Sequence, residues 1–319
     1  MNLIKNYTTN NMRTFLLVII SFFGLQNQSF AQPYSIPANT KKIVVLGNSI
    51  TYGGYYVSCI DAYLRLQYPE RHFEIINVGL PSETVSGLSE PNHADGKFPR
   101  PDLHERLDRV LKKLKPDLVF ACYGMNDGIY LPFDNKRFQK FCEGINWLHE
   151  QVIKSGASII HITPPIYDER KGSAYANVLD VYSDWLISCR YTNDWSVIDI
   201  HWPMKKYLED QRLKDSTFKF AADGIHPDNL GHFIIAKNIL LSLGETKVAN
   251  AVDMKDILSG YKNGDSIFQL IEKEQAIRKD AYLSSIGHKR PGMNVGLRIS
   301  EAERQCTDIE KQIQMIVKR

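Results

Sequence analysis

Short unbroken apolar runs, separated by stretches of helical periodicity, dominate residues 42–243. Residues 42–46 (Lys-Ile-Val-Val-Leu), 73–78 (Phe-Glu-Ile-Ile-Asn-Val), 118–122 (Leu-Val-Phe-Ala-Cys), 158–162 (Ser-Ile-Ile-His-Ile) and 196–199 (Ser-Val-Ile-Asp) each read as a buried strand. Between them, 56–66, 103–114, 135–155 and 176–189 read as helices, and 229–243 as a helix after the last strand. Continuous rather than alternating apolar runs are the mark of parallel strands covered on both faces. Strands alternating with helices place those covers as helical layers. The pattern therefore predicts an α/β fold of three layers, α/β/α, around a five-stranded parallel sheet. In such sheets ligands bind beyond the carboxyl ends of the strands.

From residue 247 the texture changes. No strand-like run occurs, and 267–282 and 300–317 read as amphipathic helices joined by His288-Lys289-Arg290-Pro291-Gly292. The expected organisation is a main domain over 32–245 and a helical extension over 246–319, whose simplest role is to cover one face of the sheet domain.

The first 31 residues carry only Lys5 and Arg13 as charges. An apolar run over 15–25 follows, then a polar stretch ending Ser29-Phe30-Ala31, with small residues at the −3 and −1 positions of a cut. This is the layout of a secretory signal peptide cleaved after Ala31. The apolar run is too short to span a bilayer comfortably, and no cysteine stands near the cut for a lipid anchor. An exported protein, periplasmic or extracellular, with no membrane span after cleavage is expected. An uncleaved anchor is the alternative.

Of 39 basic and 36 acidic residues, the two basic ones before the cut would be lost, leaving 37 against 36. A near-neutral chain has no electrostatic footprint for nucleic acid. The 319 residues, 43% hydrophobic, suffice for one large core. Five cysteines occur, Cys59, Cys122, Cys142, Cys189 and Cys306, with no CxxC pair and no zinc spacing. Export permits disulfides, but spacing assigns none. Cys122 ends an apolar run and reads as a small core residue.

Four segments at predicted strand ends or loops carry candidate chemistry. Gly47-Asn48-Ser49-Ile50-Thr51 puts a serine directly after the first strand, where its hydroxyl can enter the cleft; its plainer role is a helix N-cap. In Asp223-Gly224-Ile225-His226-Pro227 a carboxylate three residues before a histidine can reach Nδ1–H, leaving Nε2 as a base toward a serine. Alternatively Asp223 or Asp228 caps the helix that follows. Gly79, after the second strand, allows close backbone approach to a ligand. Asn126, in Gly124-Met125-Asn126-Asp127 after the third, supplies an amide donor for a tetrahedral oxyanion. Alone, each of the last two is equally a turn residue.

Together and in this order, the four segments resemble the signature blocks of the SGNH (GDSL-like) hydrolase, or lipase/acylhydrolase, family. The resemblance covers about residues 42–243. It implies a flavodoxin-like three-layer fold with Ser49 as nucleophile, His226 as base and Asp223 as its orienting group. It also implies an oxyanion hole from Ser49 N–H, Gly79 N–H and the Asn126 side chain. No metal or organic cofactor is implied. Two residues depart from the family pattern: Asn48 replaces the usual Asp, and Ser82 stands where many members have a second glycine, which leaves the shape of that loop open. Residue 51 is Thr, so this is not the Gly-x-Ser-x-Gly elbow of α/β-hydrolases.

The expected activity is that of a carboxylic ester hydrolase removing a small acyl group, acetyl first among them, from an exported or environmental carbohydrate. Tyr52, Tyr55, Tyr123 and Tyr130 lie near the motifs and are candidates to stack on a sugar. Alternatives are a lipase, thioesterase or lysophospholipase on the same residues, a catalytically idle carbohydrate-binding protein, and a metallohydrolase using Asp127, Asp223 and His226. The partner is thus a small acyl ester or acetylated glycan; oligomeric state is not legible.

Overall fold

The five predicted strands pair into one sheet, all parallel, in the order β2-β1-β3-β4-β5. The computed structural model describes residues 34–317; the signal-peptide expectation lies outside the described residues. The strands are β1 (Lys42–Gly47), β2 (Glu74–Asn77), β3 (Leu118–Cys122), β4 (Ser158–Ile162) and β5 (Val197–Ile198). Register runs Ile43 beside Ile75 on one side and beside Leu118 on the other. All five residues of central β3 are buried, as are the last five of β1. Each large aliphatic side chain so buried contributes about 1.5–3 kcal/mol relative to exposure. That is why these runs could be read directly. Cys122 is one of them, a buried thiol, and all five cysteines are free.

Helices cover the sheet: α1 (Ser49–Gly53), α2 (Tyr55–Gln67), α3 (Leu107–Leu114), α4 (Asn135–Lys154), α5 (Glu169–Thr192), α6 (His201–Lys214) and α7 (Asn229–Ser242). The predicted helix 103–114 is broken. A 3-10 turn, Leu103–Glu105, precedes α3, and Arg106 between them has φ −125°. The guanidinium of Arg106 points into the core rather than along a helix face. Helix α6 went unpredicted because its sequence is mostly polar and it buries only His201, Met204 and Leu208. Chain order and sheet order reverse between β1 and β3, which opens a crevice at the carboxyl edge where those two strands diverge.

The C-terminal extension comprises α8 (Met254–Leu258), α9 (Gly264–Ile286) and α10 (Ile299–Val317). Its placement refines the expectation of a cover over one face: α9 packs on α2 and along β2, the edge strand, while α10 packs on α9. Gln275 Nε2 donates to the carbonyl of Ile75 at 2.9 Å and to Asp61 Oδ2 at 2.7 Å. An open sheet edge presents unpaired backbone groups that invite aggregation; here a helix blunts it. Arg65 fastens the layers, reaching Asp61, Glu274 and Glu310 at 2.7, 3.0 and 2.6 Å.

Candidate active site

Ser49 follows β1 by one residue and begins α1. The N-cap of that helix is Asn48, whose side chain accepts from Ile50 N–H. Asn48 thus performs the capping task, and the Ser49 hydroxyl is left for another partner. That partner is His226 Nε2, 2.8 Å away. On the far side of the ring, His226 Nδ1 lies 2.6 Å from Asp223 Oδ2. Asp223 Oδ1 accepts from Ile225 N–H at 2.8 Å and His226 N–H at 2.9 Å, folding the Asp-Gly-Ile-His segment into a tight turn. Gly224 at φ +86° makes the turn possible, since a side chain there would meet Lys171. Helix α7 is capped by Asp228, which accepts from Gly231 N–H at 2.9 Å. Asp223 therefore caps nothing.

Protonation follows from these contacts. Burial raises the Asp223 carboxyl, but hydrogen bonds from the His226 side chain and two backbone N–H groups outweigh it and bring it down to about 2. An ionised carboxylate only accepts, so His226 Nδ1 carries a proton toward Asp223, and Nε2 is the ring nitrogen that faces the Ser49 hydroxyl. The sign is that of a depressed acid: the interaction is fully present above the ordinary value of 3.8 and is lost as pH falls through about 2.

Two loops complete the site. The loop after β3 holds Asn126, 3% exposed. Its Nδ2 donates to the Glu83 carbonyl at 3.1 Å and its Oδ1 accepts from the Tyr130 hydroxyl at 3.0 Å. An amide has two N–H donors, and no described residue takes the second. Asp127 is fully buried and accepts from Val85, Ser86 and Gly124 N–H, each at 2.9 Å. It builds the loop and does not join Asp223 and His226: among the described residues, no group of three His, Cys, Asp or Glu side chains is arranged to hold a metal.

The loop after β2 corrects one expectation. Gly79 N–H is not free; it donates to Asn77 Oδ1 at 2.9 Å and is buried. Gly79 is small for a packing reason, because a Cβ there would lie 2.5 Å from Tyr52 N, in the turn that carries Ser49. The free donor in this loop is Ser82. Its backbone sits at φ +67°, a left-handed conformation that costs a non-glycine residue of order 1–3 kcal/mol, and no described acceptor takes its N–H. Leu80 N–H donates to the Gly47 carbonyl at 2.9 Å, and the Glu83 carbonyl receives Asn126, so Ser82 is held between the β1 and β3 loops. The signal available in the sequence was Ser82-Glu83-Thr84 itself, a serine where a glycine is usual.

Glu83 anchors this strained turn. Its carboxylate, fully buried, receives Arg106 at 2.6 and 2.7 Å and the Tyr123 hydroxyl at 2.7 Å. Tyr123 is therefore no sugar platform. Tyr55 packs edge-on against Phe268. Tyr52 and Tyr130 stay partly exposed, and Tyr130 and Tyr167 lie close enough to Asp223 to feel its charge.

The five-stranded parallel sheet between helical layers is the fold of an SGNH-type hydrolase. The protein belongs to the GDSL-like lipase/acylhydrolase family, whose model matches residues 45–234. It is accordingly a carboxylic ester hydrolase. No curated protein matches the chain. Similar solved structures include a gut microbial diltiazem-metabolizing enzyme, 22% identical, TM-score 0.54, over 67% of this chain and 49% of that one. This chain thus spans about half the length of that enzyme. A hydrolase from the metagenome of Lake Arreo, Spain, is 24% identical, TM-score 0.52, over 66% of this chain and 97% of that one. An acetylxylan esterase from Geobacillus stearothermophilus is 22% identical, TM-score 0.52, over 66% and 96%. At these identities the likeness carries the fold.

Proposed function

We propose that the protein is an exported serine esterase that removes short acyl groups, acetyl above all, from carbohydrate. Ser49 is the nucleophile, His226 the base, Asp223 the group that orients it, and Ser49 N–H, Ser82 N–H and Asn126 Nδ2 the oxyanion donors. The observation that carries this reading is the unbroken relay from Ser49 Oγ to His226 Nε2 at 2.8 Å and from Nδ1 to Asp223 at 2.6 Å.

In the first step Ser49 Oγ attacks the ester carbonyl while its proton passes to His226 Nε2. The carbonyl π pair moves onto oxygen, where preorganised donors stabilise it. Collapse of the tetrahedral species breaks the C–O bond to the alcohol, which leaves with the proton from Nε2. Water then repeats the sequence on the acyl-enzyme, releasing the acid and restoring Ser49. Asp223 stays ionised throughout and holds the imidazolium.

The short-acyl part rests on the polar aromatic surroundings, Tyr52, Tyr130 and Tyr167, which suit a sugar ring better than an alkyl chain, and the similar Geobacillus enzyme, an acetylxylan esterase, agrees with it. Acetyl esters are expected to be cleaved with a much higher kcat/KM than octanoyl esters in a p-nitrophenyl series. The reverse order would identify a lipase or thioesterase, and no turnover of any ester a binding protein. Export is tested by sequencing the mature N-terminus, which should begin at Gln32; an intact N-terminus would contradict it.

A further inference from the structure

The C-terminal extension touches α1, which carries Ser49, and the loop after β2. Lys279, on α9, donates to the Tyr52 carbonyl at 3.1 Å and lies 3.8 Å from the centre of the Tyr52 ring. Asn294 Nδ2 reaches the Tyr52 hydroxyl at 3.5 Å. Arg290, in the segment between α9 and α10, donates from Nε to the Pro81 carbonyl at 3.1 Å. Its guanidinium is steadied over the Phe98 ring, 5.4 Å from the centroid, and by a bond from Nη1 to the Pro291 carbonyl at 2.7 Å.

The Pro81 carbonyl belongs to the same peptide group as Ser82 N–H. That peptide is trans and planar, so its C=O and N–H point in opposite directions. Whatever fixes the carbonyl fixes the N–H. Arg290 draws the oxygen toward the extension and so turns the N–H away from it. A cation on the carbonyl also polarises the amide, because hydrogen bonds in a chain strengthen one another. From the other side, Glu83, clamped by Arg106, fixes the next residue.

We propose that Arg290 is a positioning residue for the oxyanion site, contributed by the C-terminal extension, which aims and strengthens the Ser82 N–H toward charge that develops on the substrate. The proposal rests on the serine-esterase reading above. It gives the extension a part in the chemistry besides covering the β2 edge. Because that charge is absent from the bound ester and full only near the tetrahedral state, Arg290 acts on kcat and not on KM.

The test uses the full chain with Arg290→Ala and Arg290→Gln, p-nitrophenyl acetate as substrate, and a small alkyl boronic acid whose tetrahedral serine adduct places an oxygen among the donors. Losing a whole oxyanion donor costs about 10²–10³ in kcat; losing the group that aims one is expected to cost Arg290→Ala about tenfold, with KM within about twofold. Boronate affinity should fall in parallel, while the number of serines titrated by the acetyl burst stays the same. Arg290→Gln, which keeps an N–H but not the charge, should fall between Arg290→Ala and the parent, and it serves alone should Arg290→Ala not fold. Unchanged kcat in both variants overturns the inference, as does a rate loss explained by fewer titratable serines or one without loss of boronate affinity. If Ser49→Ala keeps its turnover, the serine reading itself fails; if only the Arg290 variants are silent, the serine reading stands.

Discussion

Ser49→Ala is expected to lower kcat on p-nitrophenyl acetate by about three orders of magnitude or more, with no change in melting temperature. The hydroxyl is half-buried and, among the described residues, caps no helix and bonds only His226, so its removal takes away the nucleophile and little else. Donors that remain would still stabilise attack by water, which is why a residual rate of about 10³–10⁴ over the uncatalysed reaction should survive. His226→Ala should cost about as much, and the double variant no more than either single one, because the two act as a unit. Asp223→Ala should cost less, since the ring remains in place without its tautomer being held. Its fold should be unharmed because Asp228 caps α7. A stability loss in Asp223→Ala without a rate loss would remove Asp223 from the site.

Arg106→Ala should cost about 3–5 kcal/mol of stability. The reason is what it leaves behind. Glu83 is fully buried, and without Arg106 its charge would keep only the Tyr123 hydroxyl. The bond from Arg106 Nη2 to the Val78 carbonyl, at 2.8 Å, would go as well. A fall in melting temperature on the order of 10 °C follows for a domain of this size. Calorimetry on Arg106→Ala and on the paired Arg106→Met, Glu83→Leu variant separates the terms. The paired variant, having no stranded charge, should recover much of the loss, though the strained Ser82 turn loses its anchor and activity should stay low. A single variant as stable as the parent would mean that the pair contributes nothing.

Much of the scaffold was legible because burial on both faces writes itself as unbroken apolar runs, as in β1, β3 and β4. Helix α6 was not, because three buried positions in a polar helix leave no stripe to read. Arg106 broke a helix whose periodicity looked continuous, since its reason for turning inward lies at Glu83, far off in sequence. At the site, a serine after a strand fits a cap and a nucleophile equally well, and only the side chain of Asn48 distinguishes them. Asp223 and Asp228 posed the same ambiguity, resolved by which N–H groups each accepts. The family resemblance puts an oxyanion donor at Gly79, where glycine would also admit close approach. Its small size instead serves packing against Tyr52, its N–H is taken by Asn77 Oδ1, and the left-handed residue of the loop is Ser82. Arg290 left no trace in sequence: its partner is a backbone carbonyl, and carbonyls are alike at every position.

Reaction with a fluorophosphonate, followed by peptide mass spectrometry, decides whether Ser49 is the nucleophile, because the reagent modifies only a serine activated by a base and facing oxyanion donors. One adduct per chain is expected, located on Ser49, formed rapidly in the parent protein and orders of magnitude more slowly in His226→Ala. An adduct on another residue, or labelling of Ser49 at the same rate without His226, would contradict it.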